Sequence, residues 1–148
     1  MTMPKSQATQ KWFIIVESDL ATAVKAASEP DPHYDTAMYH CQQAGEKAVK
    51  RYLVFYEIEF QKTHDIEALI ELAVDVDPTW EDWLRIGNRL TPYASQYRYP
   101  DLTADVPTKA EYEYAYQNAT ALYNFVLSLL PPQAHPHKNN SKSATDTE

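Results

Sequence analysis

The side chains best suited to chemistry lie on one predicted helix and just after it. Gln43, Glu46 and Lys47 occupy a polar face of that helix, and Lys62 and His64 follow shortly afterwards along the chain. Lysine and histidine side chains can contact a ligand, and the pair of Glu46 and His64 is the best candidate for general acid–base catalysis. The sequence therefore predicts a ligand contact at Lys47, Lys62 and His64, supported by Gln43 and Glu46.

Both parts of this candidate site have a purely structural alternative. The polar face can be a solvated helix surface with an internal pair between Glu46 and Lys50, four residues apart. His64 lies at a predicted helix start, where the helix dipole disfavours positive charge and favours a neutral imidazole. There it can contact a ligand, or it can cap the helix and pack on the preceding one.

A second candidate contact precedes the last predicted helix. Arg98 is suited to bidentate contact with a phosphate, and Tyr99 is suited to stacking on a base. Alternatively Arg98 pairs with Asp101 in a loop and Tyr99 packs against the helices. In either case Asp101 can orient the arginine.

Composition limits the class of protein. The chain has 148 residues, enough for one domain with a core, and only two glycines, which disfavours hairpins and glycine-rich phosphate loops. Its net charge of −8 argues against general binding of RNA or DNA. The single cysteine excludes an internal disulfide. We find no long apolar stretch and no signal-peptide core, and we expect a cytoplasmic protein.

Hydrophobic periodicity predicts helices throughout. The second helix carries a stripe of small residues at Cys41, Gly45 and Ala48, which lets a neighbouring helix approach closely. Five helices are expected, at residues 8–28, 32–59, 64–76, 80–94 and 109–130. The fold class is all-α, an up-and-down bundle with a four-helix core and a short extra helix. Residues 1–8 are expected to fray, 9–130 to form the domain and 131–148 to be disordered.

Three further groups of residues are expected to be structural. The tyrosines of the last helix, with two tryptophans, suit a core and a dimer surface; they are Tyr112, Tyr114, Tyr116, Tyr123, Trp80 and Trp83. Cys41 is expected to be a buried thiol. His135 and His137 lie in the predicted disordered tail. Weak metal binding by this pair is the alternative to a purely disordered tail. We expect no metal site and no cofactor.

Four short motifs, in order, resemble a known family. They are Ser18-Asp19-Leu20, Gln42-Gln43-Ala44-Gly45-Glu46-Lys47-Ala48, Lys62-Thr63-His64-Asp65-Ile66 and Arg98-Tyr99-Pro100-Asp101. Across residues 12–130 they resemble the HEPN domain (higher eukaryotes and prokaryotes nucleotide-binding). The branch is the prokaryotic one often encoded beside a minimal nucleotidyltransferase. The resemblance implies an all-α bundle, usually a homodimer. It also implies either a metal-independent RNase, often a toxin, or a binding or partner subunit of the nucleotidyltransferase.

The chain departs from the RNase pattern of that family, an Arg followed after four to six residues by a His. Its arginines are Arg51, Arg85, Arg89 and Arg98, and its histidines are His33, His40, His64, His135 and His137. No pair of them has the required spacing. The sequence therefore favours a non-catalytic protein that binds a nucleotide, or serves a nucleotidyltransferase in a toxin–antitoxin-like pair, or both. The alternatives are an RNA endonuclease toxin with a non-standard site and a regulatory homodimer that binds another protein.

Overall fold

The computed structural model describes residues 4–96 and 106–136, and every regular element within them is helical. Six α-helices and two 3₁₀ helices are present: α1 Pro4–Ala26, α2 Tyr34–Phe55, α3 Ile66–Val74, a 3₁₀ helix Pro78–Trp83, α4 Leu84–Leu90, α5 Tyr93–Gln96, α6 Lys109–Ser128 and a 3₁₀ helix Pro132–Ala134. The predicted all-α class is confirmed. No helix in the described part of the chain is long and apolar enough to span a membrane.

Helix α2 is the centre of the fold and packs against α1 and α6 along its length. The small residues Cys41, Ala44 and Ala48 are fully buried on it. At Gly45 an added Cβ would lie 3.2 Å from the Cδ1 of Leu90, so α4 lies almost against the α2 backbone. The predicted small-residue stripe therefore does bring neighbouring helices close, as expected.

Helices α3 and α4 form a tightly packed pair beside α2. A Cβ at Gly87 would lie only 3.1 Å from the backbone nitrogen of Glu67, a distance that glycine permits. The backbone N–H of Ile66 donates to Thr91 Oγ1 at 2.9 Å. These contacts fix the start of α3, and hence the segment before it, against α4.

Several predicted boundaries are corrected by local hydrogen bonds. Asp65, rather than His64, is the N-cap of α3, and its side chain accepts from the N–H of Ala68. The predicted fourth helix begins instead as a 3₁₀ helix capped by Asp77. Helix α2 ends at Phe55 rather than near residue 59, because Glu57 adopts a left-handed conformation with a φ of 60°.

The chain ends also differ from expectation. Helix α1 starts at Pro4, within the segment expected to fray, and proline suits the first turn of a helix. Residues 131–136, expected to belong to the disordered tail, contact α1 and bury Ala134. The His135 ring lies 2.8 Å from the carbonyl oxygen of Leu127, so this segment is held against the end of α6.

The aromatic residues pack mainly within the chain. Trp80 is fully buried, with its ring centroid 4.9 Å from those of both Tyr52 and Phe125. Tyr123 is buried as well, and its hydroxyl donates to Glu17 at 2.7 Å. The core part of the prediction is therefore confirmed for Trp80 and Tyr123, whose buried rings are not available for a dimer surface. Tyr114 remains exposed.

Candidate functional site

A buried carboxylate, Glu46, organises the candidate site. It accepts hydrogen bonds from Gln42 Nε2 and Lys50 Nζ, each at 2.8 Å, and from His64 Nδ1 at 3.0 Å. Gln42 is itself fully buried. Side chains spaced by four residues share one side of a helix, so α2 alone brings three of these four groups together.

The fourth group, His64, is supplied by the turn before α3. Its carbonyl oxygen accepts from Gln42 Nε2 at 3.3 Å while its ring donates to Glu46. The turn is closed by Asp65, whose N–H donates to Thr63 Oγ1 at 3.0 Å. The position of His64 is thus fixed both through its backbone and through its ring.

The charge on Glu46 is maintained by its neighbours. Burial alone would raise the pKa of the Glu46 carboxyl, but hydrogen bonds from Lys50, Gln42 and His64 together hold it below its ordinary value. An ionised carboxylate only accepts hydrogen bonds, so His64 donates through Nδ1. The other ring nitrogen, Nε2, is therefore left for solvent or a ligand on a half-exposed side chain.

An open groove of about 520 Å³ adjoins this site, between the 59–63 segment and α3. Its lining includes Glu59, Phe60, Lys62 and Thr63. Lys50 Nζ, bonded to Glu46, lies 6.0 Å from the centre of the Phe60 ring and so links the carboxylate network to the groove. Lys62 is exposed, and none of the carboxylates in residues 4–96 and 106–136 forms an ion pair with it.

A second buried carboxylate, Asp19 of α1, forms a similar network on another side of α2. It accepts from Lys47 Nζ at 2.7 Å and lies 2.9 Å from His40 Nδ1. The backbone carbonyl of Lys47 also accepts from Trp12 Nε1 at 2.9 Å. Lys47 therefore belongs to the contact between α1 and α2. The predicted grouping of Lys47 with Lys62 and His64 in one ligand site is wrong.

The sequence patterns did not predict the contact between Asp19 and His40. One signal was available, because Asp19 is an acidic residue between the buried apolar positions Val16 and Leu20 on α1. A charge at such a position requires a partner on the facing helix. His40 and Lys47, seven residues apart, share one face of α2 and meet that requirement.

The structural alternatives for the first site are partly confirmed. The pair between Glu46 and Lys50 is present, but the face is not solvated, because Gln42 and Glu46 are buried. Gln43 supports the network by donating to Gln42 Oε1 at 2.7 Å. His64 is not a helix cap, since Asp65 fills that role.

The remaining candidates are not part of this site. Arg98, Tyr99 and Asp101 lie outside the described residues. Cys41 is buried, and burial raises its pKa to about 12, so it stays a neutral thiol. The described segments contain no group of three or more side chains placed to hold a metal ion.

Comparisons with known proteins agree with this architecture. A model of the HEPN domain matches residues 9–129 of the chain. The crystal structure of an archaeal HEPN homologue superposes with a TM-score of 0.66 at 28% identity, covering 82% of this chain and 96% of that one. None of the curated proteins compared with the chain matches it.

Proposed function

Since the chain belongs to the HEPN domain family, we propose that it is a non-catalytic member that binds a nucleotide in the groove beside His64. The observation that carries this proposal is the set of groups around that groove. An ammonium group, an aromatic ring and a carboxylate line it together, at Lys62, Phe60 and Glu59.

Each of these groups suits one part of a nucleotide. Lys62, without a described carboxylate partner, can hold a phosphate as a point charge. The ring of Phe60 can stack on a base. A carboxylate such as Glu59 can accept from ribose hydroxyls, as acidic residues do in dinucleotide-binding folds. His64 follows Thr63, which lines the groove, and its Nε2 atom is available for a further polar contact.

A binding role fits these residues better than nuclease chemistry does. The Arg and His spacing of the family's RNases is absent from the sequence. His64 is held by Glu46 and has no arginine among its described polar contacts. An RNA endonuclease with a non-standard site would require growth arrest on expression that His64→Ala abolishes. RNA that stays intact after long incubation with the protein would exclude this alternative.

The nucleotide-binding proposal is tested by calorimetric titration of the chain with ATP, GTP and other nucleotides. We expect Lys62→Gln to weaken binding by about tenfold, the effect of losing roughly 1.4 kcal/mol of contact. Lys25→Gln removes another exposed positive charge, from α1, and should leave affinity unchanged. No heat with any nucleotide, or equal losses in both variants, would contradict the proposal. Arg98→Ala tests whether the last motif contributes.

The partner half of the proposal is a minimal nucleotidyltransferase encoded beside this chain, in a toxin–antitoxin-like pair. It is supported by the motifs that resemble that branch of the family. Co-expression and copurification with such a neighbour at fixed stoichiometry is the expected result. A neighbouring gene that encodes another kind of protein would contradict the proposed nucleotidyltransferase partner.

HEPN domains often form dimers, and we propose a homodimer for this chain. The adjacent residues Ile14 and Ile15 on α1 are half-exposed, so this helix offers an apolar contact. Sedimentation should give twice the chain mass, and a strict monomer would contradict it.

A further inference from the structure

The negative charge of the chain is concentrated around the groove beside His64. The net charge of the whole chain is −8, and the stretch from residue 57 to residue 82 holds nine carboxylates, one lysine and no arginine. Every described residue that lines the groove belongs to this stretch. A nucleotide in the groove therefore enters a negatively charged part of the surface.

Three of these carboxylates lie at the groove or at its edges. Glu59 is part of the lining. Asp65, the N-cap of α3, comes three residues before the lining residue Ala68. Asp75, the C-cap of the same helix, comes three residues after the lining residue Leu72. Residues three apart share one side of a helix, so both aspartates flank the helical wall of the groove.

These three carboxylates are not neutralised within the described part of the chain. Glu59, Asp65 and Asp75 are all exposed, and none of them forms an ion pair with a described cation. Their charges therefore act on any anion that enters the groove.

Among the described cations, Lys62 alone lines the groove. Lys50 comes close, with its Nζ atom 6.0 Å from the centre of the Phe60 ring. However, the charge of Lys50 is balanced by Glu46, whose carboxylate lies 2.8 Å away. One positive charge is thus available to a ligand.

Lys62 and its neighbour Thr63 offer donors for one phosphate. An ammonium group has three N–H donors. Thr63 Oγ1 accepts the backbone N–H of Asp65 at 3.0 Å, which leaves its own O–H to donate. The α-carbons of Phe60 and Lys62 are at most about 7 Å apart, since two residues separate them. The ring and the ammonium group therefore suit a base and a phosphate that are joined through one sugar.

We propose that the groove selects nucleoside monophosphates over nucleoside triphosphates. This selectivity rests on the nucleotide-binding function proposed above. The first phosphate pairs with Lys62. Each further phosphate adds negative charge that meets no second described cation, in a groove flanked by Asp65 and Asp75. Like charges at short distance repel, so the longer phosphate chain is rejected by repulsion rather than by size.

Calorimetric titration of the full chain with AMP, ADP, ATP and adenosine tests this selectivity, in EDTA and at low salt. EDTA is needed because a divalent cation on the triphosphate would mask its charge. We expect AMP to bind most tightly, ATP at least about tenfold more weakly and ADP between them. Adenosine should also bind more weakly than AMP, because it has no phosphate for Lys62. Added salt should bring the affinities for AMP and ATP closer, since it screens exposed charges.

A matched pair of substitutions identifies the source of the repulsion. Asp75→Asn removes a carboxylate from the edge of the groove and should raise the affinity for ATP about threefold, with a smaller change for AMP. This variant should keep its fold, because negative charge is unfavourable at the C-terminal end of a helix. Asp35→Asn removes an exposed carboxylate from the first turn of α2, eleven residues before Glu46, and should change neither affinity.

The selectivity and the proposed function fail in different ways. ATP that binds as tightly as AMP in EDTA, or adenosine that does so, would overturn the selectivity while nucleotide binding stands. Equal changes of ATP affinity in the two aspartate variants would also overturn it. Binding of none of the four ligands would overturn both the selectivity and the proposed function.

Discussion

Two carboxylate networks flank helix α2, and their likeness makes their difference informative. In each, a buried carboxylate lies between a lysine and the Nδ1 atom of a histidine: Asp19 with Lys47 and His40, and Glu46 with Lys50 and His64. The carboxylate side chains are 11% and 6% exposed. The histidine side chains differ more, at 26% for His40 and 49% for His64.

The difference follows from the elements that supply the partners. Asp19 joins two long rigid helices, so every group in its network is fixed by helix packing. Glu46 instead bonds a histidine from a turn that borders an open groove. The same set of groups therefore joins α1 to α2 in one case and holds a half-exposed imidazole next to Thr63, a residue that lines the groove, in the other.

The largest expected effect is on stability. Glu46→Gln replaces one acceptor oxygen with an amide N–H₂ donor that faces other donors inside the core. It should lower the free energy of unfolding by about 3 kcal/mol, as for a broken buried pair. Asp19→Asn has fewer partners and should cost about 2 kcal/mol on the same grounds. Urea unfolding followed by circular dichroism measures both. Glu113→Gln, an exposed control on α6, should change little. Equal losses of unfolding free energy in Glu113→Gln and Glu46→Gln would mean that the Glu46 network does not stabilise the fold.

The second prediction concerns pH. The pKa of folded Glu46 lies below its ordinary value of 4.5, so its contribution is complete above that pH and is lost as the pH falls through the folded pKa. We expect wild-type stability to fall more steeply than that of Glu46→Gln between about pH 5 and pH 3. Parallel urea titrations across this range measure the two slopes. Identical slopes would show that Glu46 is not held ionised by its neighbours.

A smaller effect separates the two histidines. His40→Ala removes a contact to a buried carboxylate between helices and should cost about 1.5 kcal/mol, typical of a hydrogen bond to a charged group. His64→Ala removes a half-exposed partner and should cost less than about 1 kcal/mol because solvent screens it. Thermal and urea unfolding of both variants make the comparison. A larger loss of unfolding free energy in His64→Ala than in His40→Ala would contradict the assignment of His40 to helix packing and of His64 to an exposed site.

Sequence patterns predicted much of the fold because helices follow local rules. The small residues Cys41, Gly45 and Ala48 indicated a close helix contact, and α6 begins at Lys109 as predicted, after a capping box formed by Thr108 and Glu111. Boundaries were less predictable where two capping residues compete. His64 and Asp65 are adjacent, and only the folded turn shows that Asp65 accepts the N–H of Ala68.

The candidate site was predictable only where its members lie close together in sequence. The pair of Glu46 and Lys50 follows from a four-residue spacing. The contact between Asp19 and His40 joins residues 21 positions apart on different helices, and no local pattern specifies it.

The most direct test follows the imidazole resonances of His40 and His64 by NMR while ATP is added to the full chain, assigned with the two alanine variants. If the groove beside Lys62 binds the nucleotide, the His64 resonances shift in a saturable way and those of His40 stay in place. Shifts at His40 with His64 unchanged, or no shift at either residue, would contradict the proposed binding site.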